Sequence, residues 1–559
     1  MRFLLKVSGA DFDTTIFDTQ DLSTIRGASS ALLYAPAVVF EHLREIFAQA
    51  ASPDGAATDA HGAIDILYAA ASEGMAEVTL DGQTDISTAQ SLLERISRQA
   101  LANAKFGAVL PHMSVLIVAQ PLPGDAATNP GYFPETAETA LAAARIQQLQ
   151  TLSINLPDRD PKATDCCPLD RTHPATTEHH LPGQGKTLVS RSVNDRRKFG
   201  REGRQKLAEL EFSTAPVSQE LIERLAKLRF SDSFEEIVTN EHRELKMSLH
   251  NKLAIIHLDG NEFGKIYAEA ARTPDGARRH SRVLSDLRSK FLTNLLDRIC
   301  AIEDMYFDPG GERKLRFETL MWGGDESLFV VPGWAALRMI AIVQSALADW
   351  KANDRELFHA TGVVICDRKS PIRQSKALAE SLANSAKKCA RDRSLVQIQI
   401  LEGVEVPDTR IDDFRKKLFG TDAPDCFSFA GGADWEEIMR LLAQTIHPKG
   451  LPRSQLMRLL QQAVKQGCFR PSDTNSEAAH GIWREFQELL QRYEMRDGAP
   501  FPDDFLADAN FGYTARHPLM PLVHLAQFWD YAFPYGQTVK TPLSVVEGEP
   551  ATTTNGGEG

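Results

Sequence analysis

The sequence predicts an α+β chain: two ferredoxin-like palms, an irregular linker between them, and a C-terminal α-helical domain. Three observations predict it. The order strand, helix, hairpin, helix, strand is readable twice, before residue 150 and again between 216 and 405. Between the two copies lies a stretch rich in Pro, Asp, Thr and His with no periodicity. After 406 the apolar spacing is mostly that of helices. The expected divisions are 1–150 for the first palm, 151–215 for the linker, 216–405 for the second palm, 406–545 for the helical domain and 546–559 for a disordered tail.

In the first palm, RFLLKVSG is the opening strand. SALLYAPAVVFEHLREIFAQAA, from Ser30, has helical spacing. AIDILYAAAS and MAEVTLDG form a strand pair turning around Ser72, Glu73 and Gly74. SLLERISRQALANA is helical and MSVLIVAQPL is the last strand. The hairpin carries no acidic pair, so this palm is expected to be non-catalytic and to form at most the far wall of a site. In the linker, Cys166, Cys167, His173, His179 and His180 fall close together. Adjacent cysteines fit a tetrahedral zinc site poorly, so zinc is not expected. From Arg191 to Lys206 there are seven Arg or Lys against Asp195 and Glu202. Such a run is either a solvated helix face or a contact to RNA or a partner backbone.

The second palm opens on the strand LAIIHLDG. SRVLSDLRSKFLTNLLDRICAI is a long amphipathic helix, GWAALRMIAIVQSALADW a second, HATGVVICD the fourth strand, and PIRQSKALAESLANSAKKCAR a further helix started by Pro371. SLVQIQILEG closes the sheet. Beyond it, WEEIMRLLAQTI, RSQLMRLLQQAVKQG and IWREFQELLQRY read as helices, and EGEPATTTNGGEG as a disordered end.

Composition narrows the function. The hydrophobic fraction is 43% and the charged fraction 25%, as in ordinary globular proteins. No apolar run approaches the ~18 residues of a membrane span, and the N-terminus lacks a signal-peptide core. Seven cysteines without regular spacing argue against a disulfide framework. A cytoplasmic protein with no membrane contact is the expectation. A net charge of −13 disfavours indiscriminate nucleic-acid binding but is compatible with a metal-masked nucleotide.

Two acidic strings stand out. In MWGGDESLFVVPG, Gly323 and Gly324 allow a tight hairpin, and Asp325 with Glu326 sits at its tip. In LAIIHLDGNEFGKIY, Asp259 ends a buried strand, Gly260 and Asn261 turn the chain, and Glu262-Phe263-Gly264-Lys265 opens a helix. Alone, each string is also what a solvent-exposed turn looks like. In this order within one palm, Asp259 and Asp325 can hold one or two Mg²⁺ ions against a triphosphate.

These residues resemble the nucleotide-cyclase-like, GGDEF-like palm of the CRISPR polymerases, the large subunits of type III CRISPR effector complexes. The likeness rests on LDGNEFGKI, MWGGDESLFVVPG, ATGVVICDRKSPI and LANSAKKCAR. It extends to FDTTIFDTQDLSTIRGASSALL, with Arg26-Gly27-Ala28-Ser29, and to CCPLDRTHPAT followed by SRSVNDRRKFG. It implies a nucleotidyltransferase using Mg²⁺ (or Mn²⁺) to make cyclic nucleotides or cyclic oligonucleotides from NTPs, ATP first, as an antiviral second messenger. Asp259, Asp325 and Glu326 would be catalytic. Asp259, Asp325 and the Gly260 carbonyl would hold metal. Gly260, Asn261, Phe263, Gly264, Gly323, Gly324 and Lys387 would border the nucleotide, with Lys388 the alternative to Lys387. RNA and CRISPR-type subunits are the implied partners. The chain departs from the pattern in carrying Asp-Glu where relatives usually have Asp-Asp, in lacking Cys-x-x-Cys pairs, and in lacking any His-Asp dipeptide, so the HD nuclease domain is expected to be absent. A catalytically silent scaffold subunit is the competing expectation. A diguanylate cyclase is a weaker one, because Ser327 stands where Phe is usual.

Overall fold

The computed structural model describes residues 1–50, 61–70, 72–82, 85–102, 108–124, 130–150, 165–181, 185–212, 223, 229–239, 245–307, 313–403, 410–419, 427–431, 435, 439, 442, 446, 449–469, 477–494, 498 and 519–538. Most of the expected helix WEEIMRLLAQTI and all of the tail EGEPATTTNGGEG lie outside the described residues.

The first sheet contains β1 (Arg2–Ala10), β2 (Gly62–Ala70), β3 (Glu73–Leu80) and β4 (Ser114–Pro121). Its order is β2-β3-β1-β4, antiparallel throughout, the ferredoxin-like arrangement. Alternation along β1 sends Phe3, Leu5 and Val7 to one face, against Val39, Phe40 and Leu43 of α1 (Leu22–Ala50) and Leu93 of α2 (Ile86–Gln99). The other face is covered in part by α3 (Phe133–Gln150), which the sequence reading did not assign.

Helix α1 starts at Leu22, eight residues before the expected Ser30. The signal was present in Asp21, whose carboxylate accepts from the Thr24 amide at 2.9 Å and the Thr24 hydroxyl at 2.6 Å. The extra turns bring Ile25 and Ala28 onto the second sheet, with Leu32 following them, beside Leu320, Leu328 and Val330. One helix therefore covers parts of both palms.

The basic stretch forms most of α4 (Arg191–Phe212), and it is neither simply solvated nor simply available to RNA. Arg196 and Arg197 are buried. Arg196 makes two 2.8 Å bonds to the Asp18 carboxylate, and Arg197 lies 3.6 Å from Asp21. Helix α4 crosses α1 at two glycines. A Cβ on Gly27 would stand 1.8 Å from the Arg196 carbonyl oxygen, and one on Gly200 would stand 2.0 Å from that of Ser23. Gly27→Ala is expected to cost about 1–3 kcal/mol by overpacking, read as a lower urea midpoint.

Within the segment read as irregular, β5 (Thr177–Leu181) and β6 (Gly185–Val189) pair as a short hairpin. Cys167 packs with Ala175, Val189 and Val193. Burial pushes the Asp170 carboxyl up, but hydrogen bonds from His173, Ser190 and the Thr172 and His173 amides outweigh it and bring it to about 2.

The second sheet has six strands: β7 (Lys252–Gly260), β8 (Glu318–Trp322), β9 (Glu326–Pro332), β10 (His359–Asp367), β11 (Leu395–Ile400) and β12 (Ser428–Ala430). The order is β8-β9-β7-β10-β11-β12, with only β10 and β11 parallel. Between β7 and β8 run α5 (Phe263–Ala270) and α6 (Pro274–Cys300), and α7 (Ala336–Leu347) follows β9. Ala254, Ile256, Phe329 and Val331 face α6 and α7 through Phe291, Leu295 and Ile340. Leu253, Ile255, Leu328 and Val364 face α1 and α8 (Ile372–Cys389). Behind α7 pack α10 (Arg453–Lys465), α11 (Glu477–Arg492) and α12 (Met520–Thr538), after the short α9 (Ile411–Phe419). Among the described residues, no helix is long and apolar enough to cross a membrane.

Candidate active site between the palms

Strand register brings the two acidic strings together. Asp259, next to last in β7, lies directly opposite Glu326, the first residue of β9. The turn before Glu326 closes by a 2.7 Å bond from the Gly323 amide to the Glu326 carbonyl. A Cβ on Gly323 would approach that carbonyl oxygen to 2.6 Å, so the hairpin needs glycine there. The Gly260 amide donates to the Asp325 carbonyl at 2.8 Å, fixing the tip against the end of β7. Gly260 also makes room for the Phe263 ring, which a Cβ would meet at 2.4 Å. Glu262 takes the left-handed conformation, φ 58°, and turns the chain into α5.

Lys387, in the last turn of α8, points at the same place. Its Nζ lies 2.6 Å from Asp259 Oδ1 and donates to the Gly260 carbonyl at 2.9 Å. Lys388 faces away and pairs with Asp412 at 2.6 Å. Asn261 is buried, and its amide group donates to the carbonyls of Arg391 and Arg393, at 3.2 Å each, so it holds the loop after α8.

The charges are crowded. Burial raises the Asp325 carboxyl above its usual value, and the Asp259 and Glu326 charges raise it further. Burial pushes the Glu326 carboxyl up as well, but the hydrogen bond and charge of His257 outweigh it and leave it low. His257 Nε2 donates to Glu326 Oε1 at 2.8 Å. Burial drives His359 down to about 3, so the ring beside Phe263 is a neutral wall. Carboxylates supply hard oxygen ligands, and oxygen-only donor sets suit Mg²⁺ or Mn²⁺. Asp259, Asp325 and Glu326 supply such oxygens beside Lys387 and His257, and this donor set fits a divalent cation.

A cavity of about 420 Å³ opens between the palms at this hairpin. From the second palm it is lined by Gly323, Gly324, Asp325, Glu326, Phe263 and Gly264, with Tyr267, Ser281, Ser285 and Arg288 deeper along α5 and α6. From the first palm come Gly9, Phe12, Leu32, Tyr68, Ser72 and Glu73, so the hairpin without an acidic pair does stand opposite the acidic one. Asp259, Gly260, Asn261 and Lys387 lie beside the cavity, joined to it through Asp325 and Glu326.

Sequence reasoning missed His257, Tyr68 and the cross-palm pair Lys376 and Asp13. His257 was findable: two residues before Asp259 on a strand, it shares that residue's face. The others depend on how the palms dock.

Residues 252–395 match a family model described as Cas10/Cmr2, second palm domain. Among solved structures the chain is similar to a chain of the Csm1-Csm4 cassette in complex with one ATP, at 12% identity and TM-score 0.49, covering 94% of this chain and 70% of that one. It is similar to a chain of the same cassette in complex with cA4, at 13% identity and TM-score 0.48, covering 92% and 69%. It is also similar to Csm1 in T. onnurineus, at 13% identity and TM-score 0.47, covering 94% and 69%. No curated protein matches the chain.

Proposed function

We propose, from the match of residues 252–395 to the Cas10/Cmr2 second palm domain, that the chain is a large subunit of the type III CRISPR kind and a divalent-cation-dependent nucleotidyltransferase making cyclic oligonucleotides. The proposed nucleotide is ATP and the proposed product a cyclic oligoadenylate acting as a defence messenger. The observation that carries the reading is the convergence of Asp259, Asp325 and Glu326, with Lys387, at the edge of a cavity walled by both palms, which Asp325 and Glu326 line. Its size falls in the range of about 300–1,000 Å³ typical of small-molecule sites.

In the proposed reaction a ribose hydroxyl of one nucleotide attacks the α-phosphate of another. An O–P bond forms, the bond to pyrophosphate breaks, and the hydroxyl proton leaves to a carboxylate or water. Bound Mg²⁺ or Mn²⁺ would lower the hydroxyl pKa and offset charge on the leaving group. Asp259, Asp325 and the Gly260 carbonyl would hold it. Lys387, released from Asp259, would meet the triphosphate as a point charge. Gly323, Gly324, Phe263 and Gly264 would let the nucleotide approach the backbone, and the Asn261-held loop would close the phosphate end. Lys387→Ala is expected to weaken ATP binding roughly ten-fold, about 1.4 kcal/mol, in a calorimetric titration with Mg²⁺. Lys388→Ala should leave it within two-fold. Equal effects of the two would count against the assignment.

A second reading, a catalytically silent scaffold that binds protein subunits or RNA, is favoured by one feature. Asp259 and Glu326 already have partners inside the chain, Lys387 and His257. Product formation separates the two readings.

A further inference from the structure

Glu326 is one methylene longer than Asp259 and Asp325 beside it, and its own contact takes up the extra length. Its carboxylate is turned back along the sheet face it shares with Asp259 and His257, and accepts from His257 Nε2 at 2.8 Å. His257 is 3% exposed, and its Nδ1 is buried without a hydrogen-bond partner, so this contact is the polar anchor of the ring. Behind the pair stands Glu380 of α8. One potential ligand atom from each of His257, Glu326 and Glu380 lies within 4.8 Å of the others. That trio resembles a metal site, but Lys376 pairs with Glu380 and reaches Asp13 of the first palm at 3.2 Å. An ammonium thus already takes the place of a cation behind Glu326.

We infer that His257 is a positioning residue matched to Glu326: it holds the longer carboxylate folded against β7, so that its free oxygen is presented as a further ligand to the cation site of Asp259 and Asp325. The inference rests on the proposed cation site. A histidine that orients a carboxylate ligand by hydrogen bonding acts on cation affinity rather than on fold alone. The arrangement also accounts for a histidine within the run 253–258, which is otherwise made of Leu, Ala and Ile.

The test is Mn²⁺ titration of the full chain, followed by loss of the free-ion EPR signal, with melting temperature as the folding control. His257→Ala is expected to weaken Mn²⁺ binding roughly ten-fold. His257→Gln, which keeps an N–H donor, should recover most of the affinity. Glu326→Asp, too short to reach His257, should also bind more weakly, and adding His257→Ala to it should cause no further loss. A merely structural histidine would show neither the rescue nor the non-additivity. His257→Ala within two-fold of wild type overturns the inference, as do losses that multiply in the double variant. If His257→Ala does not fold, His257→Gln and Glu326→Asp make the comparison: near-wild-type binding by the first and weak binding by the second supports the inference, and equal binding overturns it. A wild-type chain that takes up no Mn²⁺ overturns the cation site itself, and with it this inference. Unaltered binding in the His257 variants overturns the inference alone.

Discussion

Asp325→Ala is expected to reduce product formation by roughly a thousand-fold or more while leaving the fold intact. A carboxylate that holds a catalytic cation supplies several kcal/mol of transition-state stabilisation, and each ~1.4 kcal/mol is a factor of ten in rate. The fold should survive because Asp325 is fixed through its backbone carbonyl, which accepts from the Gly260 amide and is retained by alanine. The carboxyl itself is destabilised where it sits: burial raises it, and Asp259 and Glu326 repel it. Removing it relieves that repulsion, so the melting temperature should stay level or rise slightly. Steady-state rates and a thermal melt on the same preparation check both halves. A large loss of stability would mean that the carboxylate is structural.

Arg26→Ala should be the most destabilising single change. Arg26 and Glu318 are both buried, and they join the first palm's shared helix to the edge strand of the second sheet. Arg26 Nε donates to Glu318 Oε2 at 3.1 Å, and Nη2 donates to the same oxygen and to the Ser231 carbonyl at 2.8 Å. Nη1 reaches the Gly200 carbonyl at 3.3 Å. Truncation would leave Glu318 charged, buried and without its main partner, a change that costs about 3–5 kcal/mol. Replacing both partners by apolar residues, Arg26→Met with Glu318→Leu, should be much closer to wild type, because the uncompensated charge is gone. Denaturant unfolding measures the difference. Because α1 also walls the cavity through Leu32, Arg26→Ala should lower activity before it unfolds the chain.

The fold class was legible because its signals are local. LAIIHLDG and SLFVVP are apolar runs bounded by turn residues, and the helices that follow keep helical spacing over several turns. The sequence also displays both acidic strings of the site in order. It does not display the register that sets Asp259 opposite Glu326, because pairing of β7 with β9 brings together residues 67 positions apart. Nor does it show that two arginines of the most basic stretch point inward. Arg196 and Arg197 look solvated until α4 is packed against α1, where Asp18 and Asp21 await them. The start of α1 was readable in Asp21, but the stretch preceding Ser30 is polar enough to pass for a loop. Its buried face exists only because a second sheet lies against it. His257 was readable from its spacing to Asp259, but its surroundings disguise it. It sits within an apolar strand, where a lone histidine is easily taken for a core residue.

The central claim is that the inter-palm site makes nucleotide bonds. Its most direct test is to incubate the purified full chain with Mg²⁺ and each NTP in turn, with and without RNA, and to identify products by mass spectrometry. Cyclic oligonucleotide with release of pyrophosphate is expected, ATP being the best substrate, and none from Asp325→Ala. No product under any of these conditions, or the same product from Asp325→Ala, would contradict it.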